Sequence, residues 1–353
     1  MSENAGKVSA PVTESVAATQ LRRLSAWRAF EIVLWVAAFA AIFLLPSHML
    51  VLTEIAIVAL FAISLDLILG YAGIVSLGHG AFFGLGAYAA GIFAKHIYAE
   101  PVTGLFVAAA ASGIFGFATS FLVLRGSDLT RLMTTLGIAL MLAEVANQMA
   151  WLTGGADGLS GVMVGPILGL FEFDLWGKTG YIYCLFVLFI LTCLARRLVN
   201  APFGLSLKAI KGNPVRAAMV GVPSRRRIVA IYTVAAVYAG IAGALLTHTT
   251  SFVSIDVLAF HRSADVLLVL VLGGVGYLYG GIIGAIVFTL LRDWLSVITP
   301  QYWMFWIGLV LVIIVVVGRE NLGRWHTFLP NSLQERLARV VNWRLGMKLR
   351  GEQ

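Results

Sequence analysis

Apolar runs recur along the chain from about residue 29 to 317, and no polar block between them is long enough to fold on its own. A helix needs about 20 mostly apolar residues to cross the hydrocarbon core of a bilayer. On that measure, windows near 30–45, 49–69, 80–97, 102–124, 132–152, 180–195 and 228–248 predict membrane helices. A longer apolar run at 264–291 and a last window at 301–317 follow.

The distribution of charge decides how the long run is used. Between 196 and 227 stand Arg196, Arg197, Lys208, Lys211, Arg216, Arg225, Arg226 and Arg227 without a single Asp or Glu. From 318 onward there are seven Lys or Arg against three Glu. Cytoplasmic loops carry the excess of Lys and Arg, so both segments are expected on the cytoplasmic side. The chain must then cross an even number of times between them, and 264–291 must be two passes or a re-entrant pair. Gly273, Gly274, Gly276, Gly280, Gly281 and Gly284 supply the break, since glycine permits the tight backbone turn a hairpin needs. Two segments of about a dozen residues each are expected. The fold class is therefore all-α: a polytopic transmembrane bundle of about ten segments, some of them short, Gly-rich and broken or re-entrant, with both termini inside. Glu100, Asp157, Glu172, Asp174, Asp256 and Asp293 then fall in outer loops.

Composition agrees. The chain is 60% apolar and 12% charged over 353 residues, against about 25% charged in soluble domains. This excludes a water-soluble protein. Residues 1–28 lack apolar periodicity, a signal-peptide core and a small-residue cleavage site, and are expected as a disordered cytoplasmic tail ahead of a membrane domain at 29–318. Residues 319–353 form a basic, Trp-bearing tail expected to lie along the cytoplasmic membrane surface. Cys184 and Cys193 would lie on opposite faces of one helix, as packing or lipid-facing residues. His48, His79, His96, His248, His261 and His326 show neither i, i+4 pairing nor a cysteine partner, so no metal site is expected.

Three regions carry candidate chemistry. The first runs from Gly70 to Tyr88, with glycines at 70, 73, 78, 80, 84 and 86. Small residues at such density let helices approach closely. Alternatively, Ser76, Gly78, His79 and Gly80 mark a backbone break at membrane depth, tolerated only where protein or an aqueous path satisfies its polar groups. Gly273, Gly274 and Gly276 form a second such stretch in the other half of the chain, the paired pattern that points to a transport path. No residue-by-residue internal repeat accompanies it.

The second region is the basic loop. Asn213 suits an N-cap, Pro214 the first helical position and Gly221 the position after the C-cap. A two-turn helix over Val215–Val220 follows, with Val215, Ala218, Met219 and Val222 near one face, for a groove on a partner or as part of a solvated topology signal. The third comprises the acids inside spans: Glu31, Glu54, Asp66 and Glu144. Glu144 forms one stripe with Asn147 and Gln148 at i+3 and i+4, lining a solute path or bonding between helices. The turn-rich Thr153–Leu159 segment follows as an outer loop able to meet a delivery protein.

Four motifs together resemble the LivM branch of the LivH/LivM permeases, membrane subunits of branched-chain amino acid ABC importers. They are GYAGIVSLGHGAFFGLGAYAAG at 70–91, LTGGADGL at 152–159, PFGLSLKAIKGNPVRAAMVGVPSRRRIVAIYTVAAVYAGIAGAL at 202–245 and SADVLLVLVLGGVGYLYGGIIGA at 263–285. The resemblance implies a pore shared with a LivH-like second permease, two cytoplasmic ATPase subunits and a periplasmic solute-binding protein in a bacterial inner membrane. Membrane lipid is the remaining contact, and no nucleic acid is implied. ATP would be bound by the partner subunits, leaving this chain without cofactor or bond chemistry. Asn213, Pro214, Val215, Arg216, Ala217, Ala218, Met219 and Gly221 match the ATPase-coupling segment. Two departures stand out: Arg216 and no carboxylate occupies that helix where the family places acids, and Gly318-Arg-Glu-Asn-Leu-Gly replaces a Pro-containing ending. An ion-coupled transporter working without an ATPase, with Glu54, Asp66 or Glu144 as its ion site, is the alternative expectation.

Overall fold

A helix apolar on every side belongs in a core, and Met49–Ala72 is such a helix, buried around nearly its whole circumference. The computed structural model describes residues 29–317 apart from 168, 170 and 175; the expected tails at 1–28 and 319–353 lie outside the described residues. Within these limits there are 13 helices and no strand. They run α1 (Ala29–Leu44), α2 (Met49–Ala72), α3 (His79–His96), α4 (Pro101–Val123), α5 (Asp128–Gln148), α6 (Ala150–Thr153) and α7 (Lys178–Asn200). Then come α8 (Pro202–Gly212), α9 (Pro214–Met219), α10 (Ser224–Thr250), α11 (Phe260–Gly273), α12 (Leu278–Ile298) and α13 (Trp303–Val317).

Six of these, α2, α4, α5, α7, α10 and α12, are long and apolar enough to cross a bilayer, against the about ten segments expected. The helices α1, α11 and α13 have only 16, 14 and 15 residues, and α3 ends in Lys95 and His96. The long run does break at its glycines, between α11 and α12. Its second half, however, is a 21-residue helix rather than a dozen residues, because no helix breaker follows Gly284 until Pro300. Likewise α7 continues to Asn200, five residues beyond expectation, ending where Ala201 takes the extended conformation that Pro202 imposes.

Two units make up the chain, Met1–Leu290 and Leu291–Gln353. In the second, the Thr299 and Tyr302 amides close the turn between α12 and α13 through Leu295 and Thr299 carbonyls at 2.8 and 3.1 Å. In the first, α10 packs against α2, α3 and α4. Its buried Ala235, Ala236, Ala239, Gly240, Ala242, Gly243 and Ala244 allow this: small residues let backbones meet where apolar lipid offers no hydrophobic drive. A Cβ on Gly86 of α3 would strike the Gly240 backbone, and one on Gly243 the Phe83 carbonyl. Gly84, Gly86 and Gly91 of the first Gly-rich motif are thus packing residues, set against Leu258, Gly240 and Leu159.

The α1 helix docks on α7. Arg196 is ion-paired with Glu31, Trp35 meets Phe189 edge-on at 4.8 Å, and the Tyr181 hydroxyl donates to the Ala38 carbonyl at 2.8 Å. An apolar cavity of about 300 Å³ opens between α1, α2, α7 and α12. Cys184 is buried in α7 and Cys193 is partly exposed, both as free thiols, in keeping with opposite faces.

Candidate functional site: two backbone breaks and a basic loop

The first break occupies 73–78. Gly73 ends α2 in the left-handed region at φ 73°, and helical structure resumes at His79. Amides taken out of helix and away from water need partners, and other helices supply them. Thr135 Oγ1 of α5 accepts from the Leu77 amide at 3.3 Å, and Ser263 Oγ of α11 accepts from the Gly80 amide at 2.8 Å. The glycine at 78 is required by space, since a Cβ there would collide with the Thr135 carbonyl. His79 Nε2 lies 2.8 Å from Ser64 Oγ, with its ring stacked on Phe61 and edge-on to Phe82. Ser76, Gly78, His79 and Gly80 are all buried. The motif thus contains a break at 73–78 and close packing at Gly70, Gly78 and Gly80 as well as from Gly84 onward.

The second break follows α11. Gly274 and Gly276 adopt φ of 107° and 82°, and the Gly273 and Gly284 positions press on the Gly280 and Val269 carbonyls. The Gly276 amide donates to Asp66 Oδ1 of α2 at 2.7 Å, although 210 residues separate the two. Gly276 also packs on Gly70. The two breaks therefore adjoin the same end of α2, one continuing from it and one lying against it. Two of the span acids are thereby accounted for, Asp66 by Gly276 and Glu31 by Arg196.

Glu144 and Asn147 are not brought to the breaks. They are exposed on α5, as is Gln148, whose Nε2 donates to Glu144 Oε1 at 2.7 Å. Nine residues separate Thr135 from Glu144, which places the stripe roughly 13 Å further along the same helix. Little of α5 is buried, so this polar stripe lies on an outer face of the chain.

The basic loop folds more than expected. Its α8 was not anticipated, although Leu207 and Ile210, three apart, are both buried. The α9 helix forms as the caps predict. Asn213 Oδ1 accepts from the Arg216 amide at 3.0 Å, and Pro214 takes the first turn. At the other end Gly221, at φ 86°, donates to the Ala218 carbonyl, while Val222 donates to Ala217, each at 3.0 Å. This pair of bonds is a Schellman closure. Val215, Arg216, Ala218 and Met219 are exposed. Ala217 is buried and faces inward, so it belongs to the seat of α9 rather than its outer face; Val222 is only partly exposed, and Val220 joins the exposed face instead.

The basic loop is anchored to α2. Lys211 Nζ donates to the Gly70 carbonyl at 2.7 Å, and Lys208 Nζ sits 5.4 Å from the Tyr71 ring centre. At the opposite end of α10, the Leu159 amide and Val253 carbonyl pair at 2.8 Å, locking the LTGGADGL turn to 251–253 while Ala156 and Asp157 stay exposed. The hydroxyls of Thr135, Ser64 and Ser263, which complete the first break, escaped the sequence reading. A lone Ser or Thr in an apolar helix bonds its own turn as readily, as Thr119 does, and carries no distinguishing signal.

A polytopic helical bundle with six helices long and apolar enough to cross a bilayer and many large apolar side chains on its surface defines a multi-pass membrane protein. Residues 47–315 match the family described as branched-chain amino acid transport system / permease component, and the chain belongs to it. It is similar to the high-affinity branched-chain amino acid transport system permease protein LivM of Escherichia coli (strain K12), 27% identical over 291 residues covering 74% of this chain and 67% of that protein. The protein of the same description from Salmonella typhimurium (strain LT2) is 26% identical over 290 residues, with the same coverage of 74% and 67%. No solved structure matches.

Proposed function

We propose that this chain is one of two permease subunits forming the pore of an ATP-driven importer in a bacterial inner membrane, with the basic loop and both termini in the cytoplasm. The observation that carries the ATP-driven reading is α9: six residues, fixed at both ends by its own caps, holding Val215, Ala218, Met219 and Val220 exposed in a loop without acids. A loop that merely set orientation would need no such helix. Two ATPase subunits grip this face, and their ATP-driven closure moves the bundle between outward-open and inward-open states. A periplasmic binding protein delivers solute at the opposite end.

The second permease covers α5. An ionisable group in a span faces protein or a water-filled path, and Glu144 with Asn147 and Gln148 lies on the outer face of this chain, so the path runs between the two permeases there. Branched-chain amino acids are the proposed solutes, by the names of the relatives; urea, short amides and small aromatic acids are the rivals, since selectivity would reside in the binding protein.

The test is co-purification and uptake. Ala218→Glu places a charge on the docking face, and Gly221→Val places a β-branched side chain at a positive φ and breaks the Schellman closure. Both variants should insert normally and lose the ATPase subunits. Retained co-purification and uptake in both would remove the docking claim. Solute accumulation by this chain alone on an ion gradient in proteoliposomes would replace the importer with a secondary transporter.

A further inference from the structure

Between the basic loop and the second break lies one continuous path of contacts. Lys211 of α8 donates to the carbonyl of Gly70, and Lys208 covers the Tyr71 ring beside it. Gly70 is packed against the Gly276 backbone, and there is no room for even a methyl group: a Cβ on Gly70 would meet both the Asp66 carboxylate and the Gly276 nitrogen. Asp66, one turn earlier on α2 and fully buried, accepts the Gly276 amide at 2.7 Å. Three segments distant in sequence, α8, the end of α2 and the turn between α11 and α12, are thus tied by two side chains acting on backbone groups.

We propose that Lys211 and Asp66 are positioning residues that form a clamp transmitting movement of the basic loop to the Gly274–Gly276 break. This rests on the importer reading and specifies how it works within the chain. Gly274 and Gly276 sit at positive φ, where the backbone has alternatives at little cost, so the break is the part able to change shape. Lys211 holds the loop to α2 and Asp66 holds α2 to the break, so a displacement of α8 pulls on residue 276 rather than dissipating. Hydrogen bonds to charged groups are the stronger kind, which suits a link that must bear load.

The experiment uses the complete transporter in proteoliposomes, with ATP hydrolysis and solute uptake measured in the same vesicles. Lys211→Met should retain its ATPase subunits and hydrolyse ATP while uptake per ATP falls about tenfold, the scale of an ordinary inter-site coupling. Lys211→Arg, which keeps a donor, should restore most of it. Asp66→Asn, which keeps an acceptor for the Gly276 amide, should transport; Asp66→Leu should resemble Lys211→Met. A direct readout of the break is the thiol introduced by Tyr277→Cys, at a position 39% exposed, with Cys184 and Cys193 replaced by Ser. Its labelling rate should differ between nucleotide-free and ATP-trapped complexes, and that difference should vanish when Lys211→Met is added. Equal labelling in the two states without Lys211→Met, or normal uptake per ATP in Lys211→Met with ATPases bound, overturns the clamp alone. Loss of the ATPase subunits from the wild-type complex would overturn the importer reading and the clamp with it.

Discussion

The ion pair between Glu31 and Arg196 fixes α1 to α7, and its removal has a calculable cost. The two side chains keep only 8% and 11% of their surface exposed. Arg196 also reaches the Tyr279 hydroxyl at 3.4 Å. A pair enclosed to this degree cannot lean on water when broken, so Arg196→Met should destabilise the bundle by about 3–5 kcal/mol, the cost of leaving a buried charge without its cation. Glu31→Leu in the same chain should recover most of that loss, because two apolar side chains replace two desolvated ions. The chain contains its own control: Arg131 and Asp128 are 2.9 Å apart, with Asp128 88% exposed. Asp128→Asn should therefore cost under about 1 kcal/mol. Thermal unfolding in detergent can be followed with a thiol-reactive dye reading Cys184, which is buried in α7, after Cys193→Ser in every variant. Arg196→Met should lower the midpoint by roughly 5–10 °C, while Asp128→Asn leaves it nearly unchanged. Coincident midpoints for the two, or a double variant that falls as far as Arg196→Met, would refute the reasoning.

Three further substitutions probe local features. Gly276→Ala forces a Cβ into φ 82° and should cost about 1–2 kcal/mol, seen as a lower midpoint in the same dye assay. Gly86→Leu has nowhere to go against the Gly240 backbone and should separate α3 from α10 at a cost of at least about 1–3 kcal/mol, read as loss of monodisperse protein in detergent. Asn213→Ala removes the cap on the Arg216 amide and should weaken α9 by about 1 kcal/mol, raising the rate of proteolysis in the basic loop without moving the global midpoint.

Much of the architecture was already written in local sequence. The spans follow from hydropathy because a backbone in lipid must satisfy itself by helix formation, and the break between α11 and α12 follows from the even number of crossings that the basic segments require, with a glycine cluster to permit the turn. Both caps of α9 were legible for the same reason: Asn213, Pro214 and Gly221 act on backbone groups within three residues of themselves. Arg196 shows where this stops. The charge at 196 reads as the end of a span, and only the tertiary structure shows the partner it meets within α7, Glu31 on another helix.

Tertiary structure alone decided which groups complete the breaks. Ser263 lies 183 residues from Gly80, and Asp66 lies 210 from Gly276, and nothing near either residue names its partner. Those pairings follow from which glycine faces meet, and glycines at 70, 86, 240 and 243 are interchangeable to a reader of sequence but not to the packed helices. Likewise, hydropathy gave α2 and α5 the same standing as spans, yet one is enclosed on nearly every side and the other is largely bare. That difference depends on neighbours, which apolar composition cannot specify, because a side chain suited to lipid is equally suited to the protein interior.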